Sequence, residues 1–187
     1  MGDNTTRPEC HLPRTRNGNE AGAYLSFVLD YYDDLPDYTI FMHDNREQWH
    51  NDVGGRNQDE VLPVVRWQGI DTMGFTNLRC VHSPGCMVEI TPFEIHEDEV
   101  ELNTTRARFL GIYQELFGVP EMNVPKEIGN VCCAQFIVTK KQILKRPKSD
   151  YERLMKWLIE SESDGSHSKG WAFEKIWHIV FSMDPVQ

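Results

Sequence analysis

Short apolar runs that read as strands alternate along this chain with amphipathic stretches that read as helices. "YTIFM" at 38–42, "FTNLR" at 75–79 and "AQFIV" at 134–138 are rich in the β-branched and aromatic residues that favour strands. The stretches with apolar residues at helical spacing are 19–32, 103–118, 149–159 and 171–182. Because such alternation is typical of α/β domains, we predict a three-layer sandwich with a mainly parallel sheet.

Length and composition fit one domain. With 187 residues, 40% of them hydrophobic, the chain can bury a core of its own. We predict a disordered N-terminal segment at 1–11 and a single α/β catalytic domain at 12–187. No apolar run reaches the roughly 18 residues that a membrane span needs, and the first residues lack the apolar centre of a signal peptide. We therefore expect a cytoplasmic protein that has no contact with membranes.

The five cysteines are irregularly spaced. Without an export signal, their expected state is the reduced thiol. No pair of C-x-x-C motifs is present to suggest a structural zinc, and we predict neither a metal nor a cofactor.

A dense polar stretch, "HDNREQWHND" at 43–52, directly follows the first predicted strand. Ligands of parallel α/β sheets sit outside the carboxyl ends of the strands. Arg79 ends the second predicted strand, so its loop and the polar stretch should open on the same edge. We expect His43, Asp44, His50 and Arg79 to line a cleft there, together with Glu174. The alternative is an ordinary solvent-exposed turn.

The net charge of −10 argues against a nucleic-acid partner, but the charge is unevenly distributed. Residues 139–156 hold seven Lys or Arg against two acids. A basic strip on an acidic body can hold a phosphate backbone at one place. The predicted phosphate-binding residues are Lys140, Lys141, Lys145, Arg146 and Lys148. The alternative is a solvated helix face.

Four separated blocks then carry a resemblance to a known family. They are "RTRNGNEAGAYLSFVLDYYDDLPDYTIFMHDNREQWHND", "NLRC", "CCAQFIVTKKQILKRPKSDYERLMKWL" and "FEKIWHIVF". In this order they resemble a fungal family described as a domain of unknown function, members of which have been linked to arginine-containing cyclodipeptide synthases. More distantly, the blocks look like nucleotide-sugar glycosyltransferases, which implies a Rossmann-like or glycosyltransferase-A domain.

The resemblance implies a tRNA-dependent enzyme of secondary metabolism. It would join arginine and a second amino acid, both taken from aminoacyl-tRNAs, into a cyclo-arginine-Xaa diketopiperazine. Each amine attack needs a general base, and each tetrahedral intermediate needs hydrogen-bond donors for its oxyanion. A guanidinium substrate favours carboxylate acceptors, and the tRNA partners need the basic strip.

Five residues are candidates for catalysis. His43 and His50 are candidate bases, although capping or surface histidines are an equal alternative. Glu174 and His178 lie one helical turn apart on one face, where aromatic packing is the competing explanation. Cys133 is a candidate nucleophile, but a buried cysteine at a strand start is more often a small hydrophobic residue.

Six residues are candidates for substrate binding: Arg16, Glu20, Asp44, Asp52, Arg79 and Gln135. Glu20 has an ordinary alternative as a first-turn carboxylate of its helix. A nucleotide-sugar-dependent glycosyltransferase is the alternative function, against which no D-x-D motif follows a predicted strand. Nothing in the sequence speaks positively for a noncatalytic binding module.

Overall fold

The structure is a computed structural model that describes residues 11–53, 55–162 and 165–187. Its strands are β1 Tyr38–Phe41, β2 Phe75–Asn77 and β3 Phe136–Thr139. Its α-helices are α1 Glu20–Tyr31, α2 Trp67–Met73, α3 Glu97–Glu101, α4 Phe109–Phe117, α5 Lys140–Ile143, α6 Lys148–Glu160 and α7 Ser166–Val180. Short 3-10 turns lie at Tyr32–Asp34, Gln58–Glu60, Leu62–Val64 and Glu121–Asn123. Among these helices, none is both long and apolar enough to cross a membrane.

The sheet is small, open and antiparallel, with the strand order β1-β3-β2. The predicted mainly parallel sheet is therefore wrong, and so is the three-layer Rossmann-like or glycosyltransferase-A sandwich built on it. The prediction assumed that each helical stretch crosses over between adjacent parallel strands. Instead, β3 inserts between β1 and β2 and pairs antiparallel with both.

This topology still brings the predicted strand ends together. Because β1 and β2 both run opposite to β3, they run in the same direction as each other. Phe41 at the end of β1 and Asn77 at the end of β2 both pair with Phe136 at the start of β3. The carboxyl ends of β1 and β2 and the amino end of β3 thus form one edge of the sheet.

The two faces of the sheet bury clusters of different size. Phe136 and Val138 of β3 face the main core, to which α1, α4, α6 and α7 contribute their apolar stripes. Ile137 points to the other face, as strand alternation requires, and joins a small cluster with Ile70 and Leu78. Both faces of the sheet are therefore packed against other parts of the chain. This packing fixes the strand ends from which the loops leave.

Some predicted helix ends differ from the observed ones. Thr139 caps α5, a short helix outside the predicted helical stretches, by accepting a hydrogen bond from the backbone N–H of Gln142. Helix α6 begins at Lys148, directly after Pro147 and one residue before the predicted stretch 149–159. Helix α7 begins at Ser166, five residues before the predicted stretch 171–182. Of the predicted N-terminal segment, residues 1–10 lie outside the described residues.

Candidate functional site

The site lies at the sheet edge where β1 ends and β3 begins. His43 follows β1 by two residues, and its Nε2 atom lies 2.8 Å from the carbonyl oxygen of Cys133. A carbonyl oxygen only accepts hydrogen bonds, so Nε2 of His43 carries the hydrogen. The neutral imidazole then has its lone pair at Nδ1, where it can accept a proton.

His50 is held in the opposite tautomer. Asn51 donates its amide to the carbonyl of Arg56, so its Oδ1 atom accepts from Gln135 Nε2 at 2.8 Å. The same Gln135 nitrogen lies 3.1 Å from Nε2 of His50, which must therefore be the acceptor. Burial, with the charges of His43 and Arg79, lowers the pKa of His50 to about 4. At neutral pH His50 is uncharged, and its Nδ1 carries a hydrogen.

Two carboxylates interact electrostatically with these imidazoles. Glu20 opens α1 and Glu174 lies on α7. Burial raises the pKa of Glu20; the charge of His43 opposes this rise, and that of Glu174 adds to it. Glu174 also acts on the pKa of His50, so all four side chains share one region. Of the residues that the structure describes, no lysine or arginine forms an ion pair with Glu20.

Lys175, the next residue in sequence, positions Glu174. The sequence patterns had not singled out this lysine. The Nζ atom of Lys175 lies 2.9 Å from the carboxylate of Glu174 and 2.7 Å from that of Glu89. The Lys175 side chain is only 7% exposed, and it also lies over the ring of Trp171. A lysine inside the apolar stretch "WAFEKIWHIV" was the signal that could have revealed this ion pair.

Arg79 and Asp52 are both largely buried and form a loose ion pair with each other. Arg79 is 9% exposed, donates to the carbonyl of Ser83 and lies 3.9 Å from Asp52. Asp52 also accepts hydrogen bonds from the backbone N–H groups of Cys80 and Val81. The predicted role of Asp52 as an acceptor for a guanidinium group is thus filled by the chain's own arginine.

Cys132 and Cys133 form a disulfide, so the expectation of reduced thiols is wrong for this pair. Nη1 of Arg79 donates to the sulfur of Cys132 and lies 3.7 Å from that of Cys133. In this state Cys133 has no thiolate with which to act as a nucleophile. Cys80 and Cys86 are free thiols in the described part of the chain.

Three other predicted site residues have different surroundings. His178 is fully buried, its Nε2 atom contacts the carbonyl of Pro185 at 2.9 Å, and burial lowers its pKa to about 4. Arg16 is exposed before α1. Asp44 is exposed as well, although its charge acts on the pKa of Tyr24 beneath the site.

The basic strip divides into two parts. Arg146 donates to the carbonyls of Val180 and Ile179 at the end of α7, and Lys148 pairs with Asp33 at 2.8 Å. Both side chains thus contact other residues of the chain, whereas the prediction was that they belong to one exposed phosphate-binding surface. The remaining cations, Lys140, Lys141 and Lys145, line an open groove of about 630 Å³. Since Thr139 ends β3 in this groove, the groove lies at the opposite sheet edge from His43.

We call the group of side chains at the His43 edge of the sheet the polar cluster. Its members are Glu20, His43, His50, Arg79, Gln135 and Glu174. Fold and cluster define an α/β protein that presents paired imidazoles and carboxylates at one edge of a small antiparallel sheet.

The chain belongs to the family described as "Protein of unknown function (DUF3431)", whose model matches residues 2–187. No curated protein and no solved structure matches the chain.

The match confirms the predicted resemblance at the level of a family of unknown function. The relation to cyclodipeptide synthases stays a prediction, as do the catalytic and binding roles of the individual residues.

Proposed function

We propose that this protein is a tRNA-dependent cyclodipeptide synthase that joins arginine to a second amino acid. The observation that carries the proposal is the setting of Glu20, a carboxylate beside Glu174 that no described cation pairs with. The charge of Glu174 raises the pKa of Glu20 although Lys175 pairs with Glu174, and a cation bound at Glu20 offsets that effect. A guanidinium group suits the position, because its planar donors match carboxylate oxygens.

His43 supplies the general base in this proposal. Its Nε2–H is fixed on the carbonyl of Cys133, so Nδ1 is free to take a proton from the attacking α-amine. The amine then forms the peptide bond with the ester carbonyl of the second aminoacyl group. The carbon–oxygen bond of the ester breaks, and His43 returns the proton to the ribose oxygen, which leaves as a hydroxyl. The same base serves the second attack, which closes the diketopiperazine ring.

His50 supplies a hydrogen-bond donor rather than a base. A histidine with a pKa of about 4 is a poor proton acceptor at neutral pH, but its Nδ1–H remains a donor. Gln135 holds the ring through its Nε2 atom and thereby fixes this tautomer. Such a fixed donor can stabilise the oxyanion of a tetrahedral intermediate without reorganising.

The groove of Lys140, Lys141 and Lys145 is the proposed contact with the tRNA acceptor stem. The four residues of β3 separate it from the polar cluster by about 13 Å, taking 3.3 Å per residue. An RNA duplex carries phosphates along its whole length, so one tRNA can reach both places. The proposal places the protein in the cytoplasm, where aminoacyl-tRNAs are made.

Binding of small arginine derivatives tests the recognition step. We expect argininamide to bind and citrullinamide, its uncharged isostere, to bind at least tenfold more weakly, because a charge-assisted hydrogen bond contributes about 1.5–3 kcal/mol. Glu20→Gln should remove this preference, whereas Glu121→Gln, at an exposed position in a 3-10 turn, should keep it. Equal binding of the two amides by the unmodified protein would rule out the proposed guanidinium site.

A further inference from the structure

The Cys132–Cys133 disulfide joins neighbouring residues, which is a poor way to stabilise a fold. Cross-links stabilise mainly by closing a loop in the unfolded chain, and their effect grows with the length of that loop. Here the two residues are adjacent in sequence, so the loop is the shortest possible. General stabilisation therefore does not account for the bond, and its surroundings must be considered.

Those surroundings are the polar cluster itself. We define the cysteine loop as residues 130–135. The carbonyl of Cys133 holds His43, and that of Ala134 accepts from the hydroxyl of Tyr24 at 3.1 Å. Gln135, the next residue, holds His50. The disulfide thus constrains the loop whose backbone and side chains fix both imidazoles.

The backbone of the cysteine loop is in an unusual conformation at the disulfide. Cys133 and Ala134 have φ angles of 84° and 49°. These angles lie in the left-handed region, which residues other than glycine rarely adopt. Gly85 packs so tightly against the loop that a Cβ atom there would lie 2.1 Å from the carbonyl oxygen of Asn130. A loop held in this way can change conformation when the bond that constrains it is opened.

We propose that Cys132 and Cys133 form a redox-active site, which a small dithiol opens and an oxidant of the disulfide class closes. The open form is a vicinal dithiol that binds thiophilic electrophiles such as trivalent arsenicals. Opening also alters the hydrogen bond of His43. The proposal does not depend on the proposed synthase activity, because its tests need no substrate.

The reaction follows from the positions of the two sulfurs. Both residues are largely buried, Cys133 at 8% exposed and Cys132 at 4%, and in this proposal the incoming thiolate attacks the sulfur of Cys133, the more exposed residue. The sulfur–sulfur bond breaks, and Cys132 leaves as a thiolate beside the guanidinium of Arg79. The second thiol of the reductant attacks the mixed disulfide and frees Cys133. The pair gains two electrons and two protons, which the reductant loses as it becomes a disulfide.

Peptide mass mapping of the full chain tests the redox step. Tryptic cleavage after Lys126 and Lys140 yields a peptide that contains Cys132 and Cys133 and no other cysteine. After oxidised glutathione, this peptide should resist alkylation and be lighter by two hydrogen atoms. After dithiothreitol it should take two alkyl groups. Two alkylated thiols under both conditions would overturn the proposal.

Binding of phenylarsine oxide tests the open form. We expect one equivalent to bind the reduced chain and the reduced Cys86→Ser variant, which changes a free thiol outside the pair. Reduced Cys132→Ser and Cys133→Ser variants should lose this equivalent. Retention of arsenical binding by both variants would place the dithiol elsewhere and overturn the assignment.

Two further measurements test the link to Arg79 and His43. Arg79→Met should slow reduction by dithiothreitol several-fold, and Arg79→Lys, which keeps the charge, should restore much of the rate. In ¹H–¹⁵N spectra, reduction should shift the ring signals of His43 and leave those of exposed His96 unchanged. Unchanged His43 signals in a fully reduced, folded protein would show that the disulfide does not control the cluster.

Discussion

The imidazole Nε2 of His43 and the carbonyl oxygen of Cys133 lie 2.8 Å apart, although 90 residues separate them in sequence. This hydrogen bond joins the loop that leaves β1 to the loop that enters β3. It exists because β1 and β3 are antiparallel neighbours, so the end of one strand adjoins the start of the other. It also fixes the tautomer of His43 and leaves Nδ1 open.

Loss of this base should reduce turnover far more than binding. His43→Gln removes the group that takes the proton of the amine, so we expect kcat to fall by about 10²–10⁴. His96→Gln, at an exposed position with no side-chain cap bond, is the matched control. An unchanged kcat in His43→Gln would remove His43 from the mechanism.

The ion pair at Lys175 should be essential for stability. Lys175→Met leaves the carboxylates of Glu174 and Glu89 partly buried without their cation, which should cost about 3–5 kcal/mol of unfolding free energy. Lys156→Met, which breaks an exposed pair with Glu160, should cost less than about 1 kcal/mol. Chemical denaturation measures both values.

The double variant Lys175→Met/Glu89→Gln checks the cause of that loss. It removes one of the two stranded charges and should recover part of the stability. If the double variant is no more stable than the single one, lost packing against Trp171 is the cause instead.

Acidification should destabilise the protein through its buried histidines. Burial lowers the pKa of His178 from 6.5 to about 4, so between these values the unfolded chain binds a proton that the folded chain does not. Stability is then lost as the pH falls from about 6.5 towards 4. His178→Gln should reduce the loss between pH 7 and pH 5 by about 2 kcal/mol, and exposed His167→Gln should not. Equal pH dependence in both variants would contradict the assignment.

The positions of the strands could be read from the sequence, but their directions could not. A strand of three or four residues appears in the sequence only as a short apolar run, which carries no signal for its direction in the sheet. Parallel or antiparallel pairing depends on the path of the long loops between the strands. The ends of β1 and β2 nevertheless lie at the same edge of the sheet, because both strands run the same way on either side of β3. The shared site of His43 and Arg79 stays a prediction.

Side-chain partners were harder to predict than strand ends. Strand alternation predicts that Cys132 and Cys133 point apart, but the positive φ of Cys133 interrupts the extended path and lets their sulfurs bond. Asp52 has the charge expected of a substrate ligand, and only the tertiary structure shows that Arg79 already pairs with it. Charge counting likewise cannot separate Arg146, bound to the end of α7, from its exposed neighbour Lys145.

The two parts of the basic strip should respond differently to substitution. Changing Lys140, Lys141 and Lys145 together to Gln should weaken tRNA binding and flatten its salt dependence by about two to three ions. Lys126→Gln/Lys156→Gln, at exposed positions away from the groove, should leave the slope unchanged. An unchanged slope in the triple variant would mean that these lysines are only a solvated surface.

Arg146 should instead contribute to folding. Arg146→Gln removes hydrogen bonds to the carbonyls of Val180 and Ile179 and should lower the unfolding free energy by about 2–3 kcal/mol. The salt dependence of tRNA binding should not change. A stable Arg146→Gln variant with a flatter salt slope would return Arg146 to the tRNA-binding surface.

The most direct test of the proposed function is product formation from aminoacyl-tRNAs that are already charged and desalted. The purified protein, given isotope-labelled arginyl-tRNA and a mixture of other aminoacyl-tRNAs, should release an arginine-containing diketopiperazine detectable by mass. Because the leaving group is a ribose hydroxyl and hydrogen-bond donors can stabilise the oxyanion, the step should survive EDTA when spermidine supports the tRNA fold. Glu20→Gln and His43→Gln should form little product. Absence of labelled diketopiperazine with the unmodified protein, while arginyl-tRNA remains intact and unbound, would contradict the account.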